Sequence, residues 1–182
     1  MPIPDFNTEG LLPPYLDSPL KVEDLSPYKC TIQELCERYC NTSERVIILT
    51  KFLLFRRRMR ECGVLVGFQW INGSFVENIE GTEKRPPNDI DVITFYEGSS
   101  KINNKIETEF PEFTDIDLSK KNYKVDHYIV DFSYNPIVLI DHTRYWSQLF
   151  THKRNNIWKG ILQVSLGTQS DDEAALTKLS LK

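Results

Sequence analysis

The sequence lacks an apolar run long enough to cross a membrane. Its most apolar stretch, residues 46–55, is interrupted by Thr50 and Lys51 and is far shorter than the roughly 20 residues that a span requires. The N-terminus has neither the basic region nor the apolar region of a secretory signal peptide. We therefore expect a cytoplasmic protein with no stable membrane association.

An excess of basic residues is also missing, since 22 Lys and Arg stand against 26 Asp and Glu and the formal net charge is -4. Proteins devoted to duplex nucleic acid are usually basic, because neutralised phosphates supply much of their affinity. The four cysteines have no C-x-x-C spacing, and the three histidines lie far downstream of them. These absences argue against a dedicated duplex-binding protein, a zinc site and a disulfide framework, and we expect reduced thiols.

What is present fits one compact domain. A chain of 182 residues with 40% apolar residues can bury a core without disulfides or structural metals. We predict a domain over residues 1–170 and a C-terminal tail over residues 171–182. Within the domain, residues 1–20 contain five prolines, which disfavour helices and central strands and so predict an extended strap. Four apolar residues would hold this strap in place: Phe6, Leu11, Leu12 and Tyr15.

Residue patterns predict helices and strands in nearly equal number. Apolar spacing predicts a helix with Thr31 as its N-cap and then the longest helix, over residues 43–61, with Ser43 as its cap. Weaker patterns predict helices over residues 101–110 and 143–150. Short runs rich in β-branched and aromatic residues predict four strands, over residues 64–71, 90–96, 123–132 and 159–166. The predicted fold is α/β (α+β), with a small mixed twisted sheet and flanking helices.

Two basic segments have two open interpretations each. The longest helix ends with Arg56, Arg57, Arg58 and Arg60, which would form either a solvated end or a basic wall that meets nucleotide or nucleic acid. Near Trp158, a second segment resembles a patch that stacks a base and holds phosphate. Its cations are Lys153, Arg154 and Lys159. For Trp158 itself we favour a core or interface position.

Asp89 and Asp91 are the first candidates for chemistry. Side chains two apart on a strand point to the same face, so the two carboxylates would lie together while Ile90 packs behind them. Carboxylates that close repel each other unless a cation lies between them. Magnesium prefers oxygen ligands and often binds a few carboxylates together with substrate phosphates. The pair therefore predicts a site for Mg²⁺ or Mn²⁺, with a surface edge or cap as the alternative.

Gly73 and Ser74 follow the first predicted strand and are candidates for binding phosphate. Glycine allows close approach of the backbone to a ligand, and the amides of a helix start together with a serine hydroxyl can hold phosphate. Lys84 and Arg85, in the loop before Asp89, could reach phosphate or an acceptor strand, or could remain solvated surface. A phosphate site next to a metal site predicts a nucleoside triphosphate.

The order of these motifs is more specific than either motif alone. Asn72-Gly73-Ser74, a spacer of 14 residues, Asp89-Ile90-Asp91-Val92 and then Val125-Asp126 follow one another along the chain. This order resembles the polymerase-β-type nucleotidyltransferase superfamily, whose pattern is h-G-[GS], D-h-[DE]-h and a third carboxylate. More narrowly, the segments IPDFNTEGLLPP, NGSFVE, PPNDIDV, YWSQLF and KGILQV resemble a small bacterial family of nucleotidyltransferase-like proteins, the DUF6932 family, over almost the entire chain.

The resemblance implies a minimal nucleotidyltransferase fold and assigns roles to the matching residues. Gly73 and Ser74 would seat the triphosphate. The metal ligands would be Asp89, Asp91 and Asp126. The implied reaction transfers a nucleoside monophosphate from an NTP or dNTP to a hydroxyl, with two metal ions aligning an in-line displacement at the α-phosphorus.

The third carboxylate has two candidates in the third predicted strand. Asp126 and Asp131 are five positions apart and so face opposite sides of a regular strand. The resemblance favours Asp126, because this residue begins the strand where the family places its metal ligand. Asp131 would then be a structural cap or a surface acid. His127 would point away from Asp126 as a packed or exposed side chain.

The resemblance also bears on biological role. The acceptor would be a protein hydroxyl, an RNA end or a growing oligonucleotide in bacterial antiviral defence or a toxin-antitoxin system, with a cognate toxin or effector as a partner. The alternative is a catalytically inactive nucleotidyltransferase-like antitoxin or partner-binding module. A glycosyltransferase with a D-x-D motif is a third alternative, which the short chain disfavours.

Overall fold

The fold combines helices with a single open sheet. The computed structural model describes residues 3–153 and 155–181; Arg154 of the predicted basic patch and the extreme ends of the predicted strap and tail lie outside the described residues. In this described part, seven α-helices surround a five-stranded mixed sheet, which confirms the predicted fold class. No helix in it has the length and apolarity needed to cross a bilayer.

The elements alternate along the chain. The helices are α1 (Ile32–Tyr39), α2 (Ser43–Glu61), α3 (Ile79–Thr82), α4 (Ser100–Glu109), α5 (Ile116–Tyr123), α6 (Pro136–Phe150) and α7 (Gln169–Leu179). The strands are β1 (Tyr28–Lys29), β2 (Gly67–Asn72), β3 (Ile90–Tyr96), β4 (Val125–Asp131) and β5 (Leu162–Ser165). Short 3-10 helices occur at Val22–Asp24, Ser74–Val76 and Pro111–Phe113.

Helices α1 and α2 occupy the predicted ranges, with one change of cap. Thr31 and Glu34 form a capping box at the start of α1, in which the Glu34 carboxylate accepts from Thr31 N at 2.7 Å. Thr42, and not the predicted Ser43, caps α2 by accepting from the backbone N–H of Arg45. The local signals for these helices are therefore strong enough to be read from sequence.

Several predicted boundaries are wrong: β4 begins at Val125 and not at residue 123, which belongs to α5, and β5 begins at Leu162 and not at residue 159. Two further boundaries differ for local reasons. Strand β2 begins at Gly67 and not at residue 64, because Val64 N still donates to Met59 O at 3.0 Å at the end of α2. Helix α6 begins at Pro136 and not at residue 143. Asn135 caps it by accepting from Ile137 N at 2.9 Å, and proline is favourable in the first helical turn.

The sheet order is β1-β5-β2-β3-β4. Strands β1 and β5 pair in parallel, as do β3 and β4, whereas β2 is antiparallel to both β5 and β3. The parallel pairing of β3 and β4 places Ile90 opposite Val125. The N-terminal ends of these two strands therefore lie side by side at one edge of the sheet.

Each face of the sheet carries its own apolar cluster. The larger cluster joins one face to α1, α2, α4 and α7, and the smaller one joins the other face to α6. Full burial of a large apolar side chain stabilises the fold by roughly 1.5–3 kcal/mol. The buried members of the smaller cluster are Trp70, Ile93, Phe95, Val130, Phe150 and Ile161. Because Ile93 follows Asp91 by two positions, Asp91 lies on the α6 face.

The predicted strap crosses the loop that follows β2. Leu11 and Leu12 are almost fully buried, and Phe6 packs on the Tyr39 ring with a centroid distance of 6.4 Å. Gly10 O accepts from Asn78 N at 2.9 Å. The strap thus helps to hold the segment between the Gly-Ser turn and α3.

Three of the four arginines at the end of α2 bind α7: Arg56, Arg57 and Arg60. The interpretation as a solvated end and the interpretation as a nucleotide-binding wall are therefore both wrong for Arg56 and Arg60. Arg56 is buried and donates through Nε to Asp172 Oδ2 at 2.9 Å. Arg60 also binds Asp172, and it donates to Glu173 at 3.0 Å. Helix α7, which covers most of the predicted tail, is therefore fixed to α2 by a largely buried ionic cluster.

Candidate active site

Three strands bring the central site residues to one edge of the sheet. Asn72 at the end of β2 pairs with Asp91 in β3, and Asp91 pairs in turn with Asp126 in β4. Directly paired residues of neighbouring strands point to the same face. Asp89 precedes Asp91 by two positions at the start of β3. We call Asp89, Asp91 and Asp126 the carboxylate edge.

Position 73 requires a glycine because its backbone lies directly against Asp91. Its φ of +78° lies in the region that only glycine adopts readily, and a Cβ at this position would lie 1.6 Å from Asp91 Oδ2. The Gly-Ser turn is therefore packed directly against the carboxylate edge. The expected helix start after it is only the 3-10 turn Ser74–Val76, because Glu77 returns to an extended conformation with ψ 158°.

Lys120 is the site residue that sequence reasoning missed. It lies in the last turn of α5, and its Nζ is 2.6 Å from Asp126 Oδ2 and 3.8 Å from Asp89 Oδ2. The contact with Asp126 is a charge-assisted hydrogen bond, whereas the contact with Asp89 is an ion pair that is too long to be a hydrogen bond. Lys120 is thus a cation between two of the three carboxylates.

The charge of the carboxylate edge is not fully balanced. Burial, with the nearby charges of Asp89 and Asp126, raises the pKa of Asp91 to about 6. Burial also raises the pKa of Asp89, although Lys120 opposes that change. Two buried oxygens, Asp126 Oδ1 and Asn72 Oδ1, have no hydrogen-bond partner among residues 3–153 and 155–181. A buried acceptor without a partner is costly and often marks a position that a ligand or an ion completes.

A second group of charges flanks the Gly-Ser turn. Glu77, which is buried, binds Lys159 Nζ at 2.5 Å and Lys153 Nζ at 3.1 Å. Sequence reasoning named both lysines as part of a basic patch but missed Glu77. The neighbouring Trp158 is partly exposed and packs on Tyr15 with a ring-centroid distance of 5.8 Å. Trp158 therefore already has an aromatic partner within the chain.

Lys84 and Arg85 lie in a different place. Lys84 Nζ donates to Gly81 O at 2.8 Å, and Arg85 Nε donates to Glu83 Oε2 at 2.9 Å. Both line an open cleft of about 340 Å³ together with Thr42, Glu44, Glu80 and Pro86. This cleft lies at the start of α2, so a phosphate contact by Lys84 or Arg85 stays a prediction.

Asp131 and His127 lie away from the carboxylate edge. Asp131 closes the far end of β4, where its Oδ1 accepts from Gly98 N at 3.0 Å and Ser133 N at 2.9 Å. His127 is buried on the opposite face, with Nδ1 2.8 Å from Phe113 O, and burial lowers its pKa to about 3. Of the two acids left open by sequence, the structure brings Asp126 and not Asp131 next to Asp91.

Whether the carboxylate edge can bind a metal ion depends on Lys120, which contacts two of its three carboxylates. Among the residues that the structure describes, no group of three or more His, Cys, Asp or Glu side chains is arranged to hold a metal ion. The carboxylate edge is instead arranged around an ammonium group. Its donors are nevertheless the hard oxygens that Mg²⁺ prefers, and the buried Asp126 Oδ1 lacks a partner in the described part of the chain. The residues therefore fit Mg²⁺ or Mn²⁺ in donor chemistry.

The fold and this site define a small α/β domain with a carboxylate-bearing sheet edge beside a glycine turn. The chain belongs to the DUF6932 family, a family of unknown function, whose model matches residues 4–165. The match covers the strap from residue 4 onward, the five strands described above and every residue of the carboxylate edge. It confirms the DUF6932 membership, whereas the likeness to nucleotidyltransferases stays a prediction. No curated protein and no solved structure matches the chain.

Proposed function

We propose that the protein is a metal-dependent nucleotidyltransferase of the polymerase-β type, which transfers a nucleoside monophosphate from an NTP or dNTP to a hydroxyl. The observation that carries this proposal is the pairing of Asp91 with Asp126 directly beside the glycine turn. In the described part of the chain, the three carboxylates there outnumber the ammonium groups that form ion pairs with them, since only Lys120 does so. A hard cation with a phosphate ligand would balance such a site.

Each residue of the site has a proposed task. Asp89 and Asp91 would hold Mg²⁺ or Mn²⁺, which when bound neutralises charge on the transferred phosphate. Gly73 and Ser74 would hold the phosphate tail against these carboxylates. Asp126, whose Oδ1 has no partner in the described part of the chain, would be the third metal ligand and would help to orient the acceptor hydroxyl there. Positioning and electrostatic stabilisation then supply most of the rate enhancement.

The proposed acceptor is a protein hydroxyl, an RNA end or a growing oligonucleotide, and the proposed setting is bacterial antiviral defence or a toxin-antitoxin pair. These proposals come from the resemblance of the motifs to small relatives in such systems. The acidic chain, with its net charge of -4, favours an acceptor held by a local patch over one held along an extended duplex. Lys153, whose side chain is 25% exposed beside the glycine turn, would belong to such a patch.

The test is turnover of labelled nucleotides. Purified protein is incubated with Mg²⁺ and each labelled NTP and dNTP, and the products are resolved by mass. We expect Asp89→Asn and Asp91→Asn to reduce turnover by roughly a hundredfold or more, because each removes a ligand of a metal worth several kcal/mol. Asp117→Asn, which removes an exposed charge on α5, should not change turnover. Full turnover in both site variants would contradict the proposal.

A second candidate is a catalytically inactive partner-binding module, such as an antitoxin. Two observations favour it: Lys120 already neutralises part of the carboxylate edge, and α6 exposes Ile137 and Ile140. An exposed apolar helix face is typical of a protein-interaction surface. A rise in melting temperature with nucleotide and Mg²⁺, without turnover on any acceptor, would favour this candidate.

A further inference from the structure

Lys120 makes an incomplete set of contacts at the carboxylate edge. Its ammonium hydrogen-bonds one oxygen of Asp126 and approaches Asp89 only to 3.8 Å. The other oxygen of Asp126 is buried without a partner in the described part of the chain, and Asp126 itself is 8% exposed. No ion pair joins Lys120 to Asp91 among the described residues. One ammonium therefore satisfies only part of the site.

The Lys120 side chain is able to leave without unfolding its helix. It is 42% exposed and lies on a flexible four-carbon stem that ends in a compact, strongly hydrated charge. Helix α5 is held by other residues: Asp115 accepts from Leu118 N at 3.0 Å, and Ser119 Oγ donates to Val125 O at 2.8 Å. Rotation of one side chain would therefore uncover the carboxylates while α5 and β4 stay in place.

We propose that Lys120 is a displaceable internal counter-ion, which holds Asp89 and Asp126 in the nucleotide-free protein and leaves when a divalent cation binds. This inference rests on the proposed function, because it assigns the control of metal binding to a residue of the same site. A divalent cation has twice the charge of the ammonium and can reach oxygens that the ammonium leaves unsatisfied. Binding is thus an exchange of cations, and Lys120 weakens metal affinity.

The exchange is tested by titrating the protein with Mn²⁺ and following the electron paramagnetic resonance signal of the free ion. We expect Lys120→Gln to bind Mn²⁺ roughly tenfold more tightly than wild type, because a unit charge near the ion is removed. Lys121→Gln is the matched control, since it removes an exposed charge from the same helix, and its affinity should stay within about twofold of wild type. Lys120→Arg keeps the charge and should bind no more tightly than wild type.

A melting experiment tests whether Lys120 stabilises the metal-free protein. Without metal, Lys120→Gln should melt below wild type, because Asp126 loses its cation, and Mn²⁺ should raise its melting temperature more than that of wild type. Equal Mn²⁺ affinity in Lys120→Gln and Lys121→Gln, or weaker binding in Lys120→Gln than in wild type, would overturn the exchange alone. Absence of saturable binding in both wild type and Lys120→Gln would overturn the metal site as well.

Discussion

Two clusters of charged side chains in this molecule differ in how completely their carboxylates are paired with cations. In the first, between α2 and α7, Asp172 and Glu173 bind Arg56, Arg57 and Arg60. Both oxygens of Asp172 accept hydrogen bonds from guanidinium groups. In this cluster, which we call the α2–α7 cluster, the buried carboxylate is completely paired.

The carboxylate edge lacks such balance. Among the described residues, Lys120 alone forms ion pairs with Asp89 and Asp126, and none joins it to Asp91, whose pKa is raised to about 6. Unbalanced charge of one sign costs stability, and the α2–α7 cluster demonstrates that this chain can neutralise buried acids where its fold needs it. This difference supports the proposal that the carboxylate edge takes an added cation, whereas the α2–α7 cluster is arranged for stability.

The largest effect is expected from breaking the α2–α7 cluster. Asp172→Ala leaves the buried Arg56 without its carboxylate, which should lower the free energy of unfolding by about 3–5 kcal/mol. Urea denaturation followed by circular dichroism measures the change. The exposed substitution Asp117→Asn is the control, with an expected change within about 0.5 kcal/mol. A loss as small as that of the control would contradict the structural role of the cluster.

At the carboxylate edge, by contrast, removal of a carboxylate is expected to increase the free energy of unfolding. The pKa of Asp91 is about 6 in the folded chain against an ordinary value of 3.8. Between these values Asp91 binds more protons in the folded chain than in the unfolded chain, so its contribution to stability falls as pH rises from about 4 to about 6. The amide introduced by Asp91→Asn cannot ionise, so this substitution should raise the free energy of unfolding by roughly 1–3 kcal/mol at pH 7.

Urea midpoints of wild type and Asp91→Asn at pH 4 and pH 7 measure this gain. We expect a much smaller difference between the two proteins at pH 4, because Asp91 is then protonated in the folded chain and largely resembles the amide. The same gain at both pH values would mean that it does not come from ionisation of Asp91. A loss at pH 7 would contradict the description of the edge as electrostatically strained.

The smallest effect is expected at the exposed rim of the α2–α7 cluster. Glu173 is partly exposed, and its hydrogen bond with Arg57 holds its pKa below the usual value. Its contribution is therefore present above that usual pKa and is lost as pH falls. Glu173→Gln should cost about 0.5 kcal/mol at pH 7 and less in high salt, since exposed ion pairs are screened. Urea midpoints in low and high salt test this; a cost that salt leaves unchanged would argue against screening.

Sequence could predict the parts of the fold and site that depend on local signals. The capping box predicted α1, and the alternation of residues predicted that Asp91 in β3 and Asp89 just before it lie together. The resemblance selected Asp126 over Asp131. The placement of Asp126 next to Asp91 depends on the parallel register of β3 and β4, which no local pattern specifies.

The parts that sequence missed depend on long-range contacts. Arg56 and Asp172 are 116 positions apart, so a run of arginines was interpreted as an exposed or ligand-binding feature. Helix α5 is short and polar, with little apolar periodicity, and without it Lys120 could not be placed near Asp126. Asp115, which caps α5, was the available signal for that helix.

The central claim is that the carboxylate edge holds a divalent cation together with a nucleoside triphosphate. The most direct measurement is anomalous diffraction from crystals grown with Mn²⁺ and a non-hydrolysable triphosphate. The account predicts an anomalous peak about 2.0–2.3 Å from oxygens of Asp89, Asp91 and Asp126, with Lys120 turned away from Asp126. Bound triphosphate elsewhere, with Lys120 still between Asp89 and Asp126 and no peak at the edge, would contradict it.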